Sequence, residues 1–187
     1  SVHANRARVF QLKGDHTAAE ADLNAARELL GFDLPRTSTE AMVTSMQVEQ
    51  AEVRRYLAEA ARLGEITLAA RARIQPDSSF EAQAASDLAR VRDRQGRAAE
   101  ADVLFRRSID KLERQQSRLG GGDRGLVAYR SKYASLDRDY QEFLLRQGRN
   151  DDAFELYERS RAQALLALLQ QRDLDLADAD LDPAVER

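Results

Sequence analysis

Cysteine is absent from the 187 residues of this sequence, and histidine occurs only at His3 and His16. The first absence excludes disulfides, thiolate metal ligands and a cysteine nucleophile from the chain. Two histidines leave almost no material for a histidine-rich metal site or for a Ser/His/Asp triad. We therefore predict neither a metal nor a cofactor.

Long apolar runs and a strong charge bias are missing as well. No run approaches the ~18 residues that a membrane-spanning helix needs. The net charge of −3 is too small to indicate nucleic acid or a membrane surface as a partner. The sequence as a whole is 43% hydrophobic and 33% charged, is rich in Ala, Leu, Glu and Arg, and has only three prolines. That composition is typical of a helical globular protein.

Three segments of the sequence repeat one spacing of small and bulky residues. Each contains a glycine, which is followed by alanine five positions later, a large residue nine positions later and a small residue twelve positions later. The three sets are Gly14, Ala19, Leu23 and Ala26; Gly96, Ala101, Phe105 and Ser108; and Gly148, Ala153, Tyr157 and Ser160. Because a small residue is required at the last position, we do not interpret its serines as nucleophiles.

This spacing predicts pairs of antiparallel helices. A glycine just past the first helix takes the left-handed backbone conformation, which is costly for residues with a Cβ. The following alanine, large residue and small residue share one face of the second helix. Since one such hairpin cannot bury its apolar face alone, hairpins must stack. We predict an all-α fold, a right-handed superhelix of stacked helical hairpins with about eight helices.

A fourth match is weaker and predicts an irregular second hairpin. Gly64 fits the turn position, but Arg73 and Pro76 stand where the large and small residues are expected. We interpret Gly64 as the turn between a long helix over 38–63 and a short helix over 65–74. Two capping-box patterns predict the starts of neighbouring helices: Thr37-x-x-Glu40 and Ser78-x-x-Glu81.

The aligned positions resemble the tetratricopeptide repeat, a helical pair with glycine at the turn followed by alanine, bulky and small residues. The resemblance covers most of the chain, and we predict a repeat domain over residues 1–172. It implies a non-catalytic scaffold whose partner is a protein or a peptide.

The stretch "DDAFELYERSRAQALLALL", from Asp151 to Leu169, is similar to the last repeat before the catalytic domain of bacterial CHAT proteins. Residues 173–187 then resemble the acidic connector to that caspase-like domain. The resemblance implies a regulatory or recruiting arm of a larger protein of the bacterial cytoplasm, and it assigns no catalytic residue here. Since the sequence begins at Ser1 rather than Met, we expect a fragment of such a protein.

Arginines recur on the helices that line the concave surface in arrays of this family. By alignment they are Arg8, Arg54, Arg62, Arg90, Arg94, Arg138 and Arg146. One interpretation is a groove that receives an acidic segment through charge-assisted, bidentate contacts. The chain's own tail, Asp173 to Asp182, is the nearest such segment. The other interpretation is a solvated helix face in an arginine-rich protein.

Three alternatives stay open besides a peptide-binding arm. The first is a homodimer through the terminal helices, because a truncated repeat array exposes an apolar face. The second is a free-standing adaptor. The third is an enzyme that uses carboxylates, such as Asp137 with Asp139 or Asp151 with Asp152. Adjacent or alternate residues do not share a helix face, which makes these poor acid/base pairs.

Overall fold

The computed structural model describes residues 2–31, 34–118, 125–162 and 165. Within these ranges the chain forms helices and connecting turns, and no strand. The helices are α1 Val2–Lys13, α2 His16–Leu30, α3 Ser38–Val53, α4 Leu57–Ile74, α5 Ser79–Arg94, α6 Ala98–Arg118, α7 Gly125–Arg146, and α8 over residues 150–162. The predicted all-α class is therefore confirmed. The connector predicted over residues 173–187 lies outside the described residues.

The chain divides into two compact units, and the first is Ser1–Leu112. In it α1 packs on α2, α2 on α3, α3 on α4 and α4 on α5. Three clusters of buried residues among the described part of this unit each draw on consecutive helices, so the core continues from hairpin to hairpin. The clusters are Ala4, Ala7, Leu23, Ala26, Val43 and Met46; Val48, Ala51, Ala60, Ala61, Leu63 and Val91; and Leu68, Ala84, Ala85 and Leu88. Stacking thus buries the apolar faces.

The second unit, Glu113–Arg187, contains α7 and α8. Its buried side chains come from both helices: Leu136, Tyr140, Phe143, Leu144, Ala153 and Leu156. The hydroxyl of Ser160 donates to Asp137 at 3.0 Å, and Arg159 pairs with Glu113 at 3.3 Å. These contacts hold α8 against α7 and against the end of α6.

The repeated glycines end their helices in the left-handed conformation, with φ of 76° at Gly14, 75° at Gly96 and 72° at Gly148. At Gly14, the N–H of the next residue, Asp15, donates to the carbonyl of Phe10 at 3.0 Å. Equivalent bonds follow Gly96 and Gly148. This geometry satisfies carbonyls at the helix end that have no partner within the helix.

The second hairpin turns at a residue other than the one predicted. The helix α3 already ends at Val53, Arg55 has a φ of 61°, and Gly64 lies inside α4. The N–H of Tyr56 donates to the carbonyl of Ala51 at 2.8 Å, as after the glycines. The predicted long and short helices were wrong because they assumed a glycine at the turn, whereas an arginine adopts the left-handed conformation.

Counting from Arg55 rather than Gly64 gives the second hairpin the spacing of its neighbours. The turn residues Gly14, Arg55 and Gly96 are then 41 positions apart. The alanine falls at Ala60, which is fully buried. Position nine falls at Gly64, so a glycine replaces the large residue of the other hairpins.

Gly64 lets α5 pack directly on the backbone of α4. A Cβ at Gly64 would lie 2.9 Å from the Cδ1 atom of Leu88, closer than van der Waals contact allows. Leu88 is buried and belongs to the cluster between α4 and α5. The space that a large residue fills elsewhere is therefore filled here from the facing helix.

The left-handed turn residue provides a stability prediction. Replacing Arg55 with glycine should raise the free energy of unfolding by about 0.5–1 kcal/mol. The left-handed conformation costs an L-residue about 1–2 kcal/mol, and glycine avoids that cost. Part of the gain is offset because glycine has more conformational freedom to lose when the chain folds. Urea unfolding followed by circular dichroism measures the change.

Two matched variants separate backbone strain from the arginine side chain. Arg55→Ala keeps the Cβ and should bring no such gain. Gly96→Ala should destabilise the chain, since no atom lies within 4 Å of an added Cβ there and only the backbone conformation is penalised. A gain with Arg55→Ala equal to that with Arg55→Gly would contradict the explanation.

Candidate functional site

A concave cleft of about 470 Å³ lies in the first unit, where α1, α3 and α5 present side chains beside the end of α4. We call it the front cleft and define it by Arg8, Met42, Glu49, Arg71, Phe80 and Arg90. Its walls combine charge with apolar surface, since the exposed fraction of Met42 is 37% and that of Phe80 is 46%. Two of the predicted groove arginines, Arg8 and Arg90, line it.

Carboxylates on α3 and α5 pair with Arg8 and Arg90. Arg8 pairs with Glu49 at 2.8 Å. Arg90 pairs with Asp87 at 2.9 Å and lies 3.5 Å from Glu52. The cleft is thus a surface of mixed charge, in which each of the two predicted arginines has a carboxylate partner.

The carboxyl of Asp87 has an unusual environment within the cleft. Burial raises the pKa of Asp87, and the nearby Glu52 acts in the same direction. Arg90 and a hydrogen bond from Gln83 at 2.9 Å act against that rise. The groups that face Asp87 therefore include both signs of charge.

The other five predicted arginines do not line the front cleft. Arg94 pairs with Glu52 at 3.4 Å, and Arg62 makes a bidentate contact with Glu59 at 2.7 and 3.0 Å. Arg54 pairs with Glu20, and its guanidinium lies 5.6 Å from the centre of the Tyr56 ring. The remaining two, Arg138 and Arg146, belong to α7 in the second unit.

The feature of the front cleft that sequence reasoning missed is Arg71. Its exposed fraction is 4%. Its Nη1 atom donates to Ser38 Oγ at 3.1 Å and to Gln75 Oε1 at 3.2 Å, and its guanidinium lies 4.9 Å from the centre of the Phe80 ring. Burial lowers the pKa of Arg71. Among the described residues, no carboxylate pairs with it.

A second buried arginine shows what Arg71 lacks. Arg92, with an exposed fraction of 7%, pairs with Glu65 and lies 3.4 Å from Glu100. Buried charges in proteins are ordinarily paired in this way, because desolvation of an isolated charge is costly. In the described part of the chain Arg71 has only neutral acceptors and an aromatic ring as partners, so its guanidinium is suited to an anionic ligand in the cleft.

Aligning the hairpins from the turn at Arg55 marks Arg71 as unusual in the sequence. Sixteen positions after the turn residue, the first and third hairpins carry Leu30 and Leu112, and the second carries Arg71. An arginine where the other repeats have leucine indicates that the side chain does more than fill the apolar core. The misplaced turn at Gly64 concealed that alignment.

The residues predicted for packing lie mainly in the interior. The alanine, large and small positions of the first and third hairpins are at most 1% exposed, and Ala153 is 5% exposed. Ser108 donates to the carbonyl of Ala82 at 2.8 Å. Tyr157 differs, with an exposed fraction of 50%, because the preceding residue Leu156 is the one buried in α8.

The paired carboxylates considered for catalysis lie on α7, for Asp137 and Asp139, and on α8, for Asp151 and Asp152. Asp137 accepts the Ser160 hydrogen bond, while Asp151 and Asp152 are exposed. In the described part of the chain, no group of three or more His, Asp or Glu side chains is arranged to hold a metal ion. No helix in the described part of the chain is long and apolar enough to cross a membrane.

Comparison with known proteins identifies a fold relationship. No family model matches the sequence, and no curated protein matches it. Among solved structures, the chain is similar to a crystal structure from Podosopora anserina, described as a kinesin light chain with nearly identical TPR-like repeats. The TM-score is 0.63 and the identity 19%, over 99% of this chain and 89% of that chain. A single-substitution form of that protein gives 0.63, 18% and the same coverage. The chain therefore has a TPR-like repeat fold.

Proposed function

We propose that this chain is a non-catalytic protein-interaction module whose front cleft receives an acidic segment of a partner protein. The observation that carries the proposal is Arg71, a buried guanidinium with no carboxylate partner among the described residues at the floor of the cleft. A carboxylate from outside provides the charge-assisted hydrogen bonds that Ser38 and Gln75 do not. The proposal keeps the predicted acidic ligand and changes the residue that binds it.

The walls of the cleft add a second requirement to the ligand. Met42 and Phe80 are partly exposed beside Arg71, so burial of an apolar side chain there removes their surface from water. Methionine also adapts to ligands of different shape. We therefore expect an Asp or Glu followed or preceded by an apolar residue.

A binding measurement with a synthetic peptide tests this function. The probe is a labelled copy of residues 173–182, "DLDLADADLD", added to the full chain and followed by fluorescence anisotropy. Arg71→Met should weaken binding about tenfold or more, since a hydrogen bond to a charged group contributes about 1.5–3 kcal/mol. Added salt should weaken the wild-type complex more than that of the variant.

Arg62→Met is the matched control, because Arg62 lies on the same helix outside the cleft and pairs with Glu59. Its affinity for the peptide should equal that of the wild type. A peptide with asparagine at every aspartate position should bind neither form. Equal weakening by both arginine variants would indicate a general charge effect and would remove Arg71 from the site.

The wider role that we propose is that of a regulatory or recruiting arm in a larger bacterial, cytoplasmic protein of the CHAT type. The similarity of the stretch from Asp151 to Leu169 to repeats before a caspase-like domain supports it. The acidic segment from Asp173 to Asp182 is then a candidate ligand that the same polypeptide carries. A free-standing adaptor is the alternative, and the sequence encoded beyond Arg187 distinguishes the two.

Self-association is a second candidate, favoured by apolar side chains near the end of the described chain. The exposed fractions are 66% for Phe154, 50% for Tyr157 and 57% for Leu165. A homodimer would cover such a face. Sedimentation velocity of the full chain over a range of concentrations distinguishes a dimer from a module that binds only other proteins.

A further inference from the structure

A second concavity in the first unit carries the opposite chemistry to the front cleft. It has a volume of about 100 Å³, close to that of three water molecules in the liquid. It lies among α2, α3 and α4, and we call it the amide pocket, defined by Glu20, Asn24, Gln47, Gln50, Tyr56 and Glu59. No defining residue of one concavity belongs to the other.

Two buried amide oxygens in this pocket lack a hydrogen-bond donor. Gln50 is 4% exposed, and its Nε2 atom donates to the carbonyl of His16 at 2.7 Å. Because that carbonyl can only accept, the contact determines which way the amide faces. Within the described residues, neither Gln50 Oε1 nor Gln47 Oε1 has a donor. Buried acceptors of this kind ordinarily have a partner.

The remaining polar groups of the pocket are mostly acceptors too. Two carboxylates, Glu20 and Glu59, and one guanidinium, that of Arg54, line the pocket. Glu20 pairs with Arg54, and Glu59 makes a bidentate contact with Arg62. A ligand that carries hydrogen-bond donors and no acceptor suits this lining.

We propose that the amide pocket binds the guanidinium group of an arginine side chain presented by a partner protein. A guanidinium has five donors in one plane and no acceptor, so its hydrogen-bonding groups match a lining that offers amide oxygens without a donor. The pocket, at about 100 Å³, has room for such a head group. The site is separate from the acidic-segment site, and neither depends on the other.

Side-chain amide NMR of the full chain tests the proposal. The probe is Nα-acetyl-arginine methylamide, compared with the citrulline analogue, in which a carbonyl oxygen replaces one nitrogen and the charge is lost. Arginine should shift the amide resonances of Gln47 and Gln50 with saturation, and citrulline should not. Gln47→Met and Gln50→Met should each weaken arginine binding about tenfold.

A control variant and the choice of pocket variant keep the result specific to the pocket. Gln83→Met, in the front cleft, should bind the arginine probe as the wild type does. Gln47→Met is the safer pocket variant, because its Nε2 atom makes only a 3.5 Å contact with Asn24, whereas Gln50 bonds to His16. Thermal unfolding of each variant verifies that it is folded.

Three outcomes would overturn the inference. Equal shifts with citrulline would show that the pocket does not distinguish a cation. Shifts centred on other residues would place the binding elsewhere. No shift at either glutamine with saturating arginine would leave ordered water as the partner of the two oxygens.

Discussion

Replacing Phe105 with alanine is expected to lower the free energy of unfolding by about 4 kcal/mol, the middle of the range for removing a buried phenylalanine. Phe105 lies in α6 and, with Phe143, is among the largest fully buried side chains of the described residues. It also occupies the large position of the third hairpin. The neighbouring helices cannot close around the deleted ring, so a cavity adds to the lost transfer free energy.

Phe154→Ala is the matched control, because it removes the same atoms from a side chain that is 66% exposed. That variant should stay within about 0.5 kcal/mol of the wild type. Urea unfolding followed by far-ultraviolet circular dichroism measures both. If the two variants were destabilised alike, the burial of Phe105 would not be the cause.

Replacing Glu81 with glutamine should lower the free energy of unfolding by about 2 kcal/mol. This loss is smaller than the usual cost of breaking a buried ion pair, because the basic partners of Glu81 are partly exposed to water. Glu81 is 1% exposed. It pairs with Arg107 at 2.7 Å and Lys111 at 3.3 Å, and it accepts the N–H of Asp77 at 2.8 Å. Glutamine keeps the shape and loses the charge.

The contribution of Glu81 should depend on pH. Burial opposes ionisation, but the bonds from Arg107, Asp77 and Lys111 outweigh it and hold the pKa of Glu81 below its ordinary value of 4.5. A carboxyl with a lowered pKa stabilises the folded state fully above the unfolded pKa and loses that effect as pH falls. The difference between wild type and Glu81→Gln should therefore be constant near neutral pH and shrink below about pH 5.

Glu40→Gln provides the comparison within the same chain. Glu40 occupies the corresponding position of the first capping box and accepts the N–H groups of Arg36 and Thr37 at 2.6 and 3.3 Å. It has no basic side chain as an ion-pair partner among the described residues, so its loss should be smaller. A loss as large as that of Glu81→Gln would show that capping, and not the buried ion pairs, explains the effect.

Both predicted helix starts were readable from the sequence because capping is local. Thr37 accepts from the N–H of Glu40, and Ser78 accepts from the N–H of Glu81. The reciprocal bond forms at Thr37, whose N–H Glu40 accepts, whereas Glu81 accepts the N–H of Asp77 instead of that of Ser78. The ion pairs of Glu81 reach α6, 26 residues away at Arg107, and no local pattern indicates that approach.

The error at the second hairpin has a similar origin. Glycine at a turn is a strong local signal, but an arginine also adopts the left-handed conformation when packing on both sides favours the turn. Ala60 and Leu63 join the cluster of Val48 and Val91 only if the chain turns at Arg55. The stacking period, rather than the glycine, decides the register.

The sequence by itself determined the all-α class, the helical hairpins and most of their turns, since helix periodicity and turn chemistry act over a few residues. It also excluded cysteine chemistry through composition alone. Only the tertiary structure decided that, among the described residues, Arg71 is buried without a carboxylate partner and two residues of one pocket carry amide oxygens without a donor. Arg71 meets Ser38 33 residues away, and Gln50 meets His16 34 residues away. Whether a polar group is paired depends on such distant neighbours, which stacking brings together.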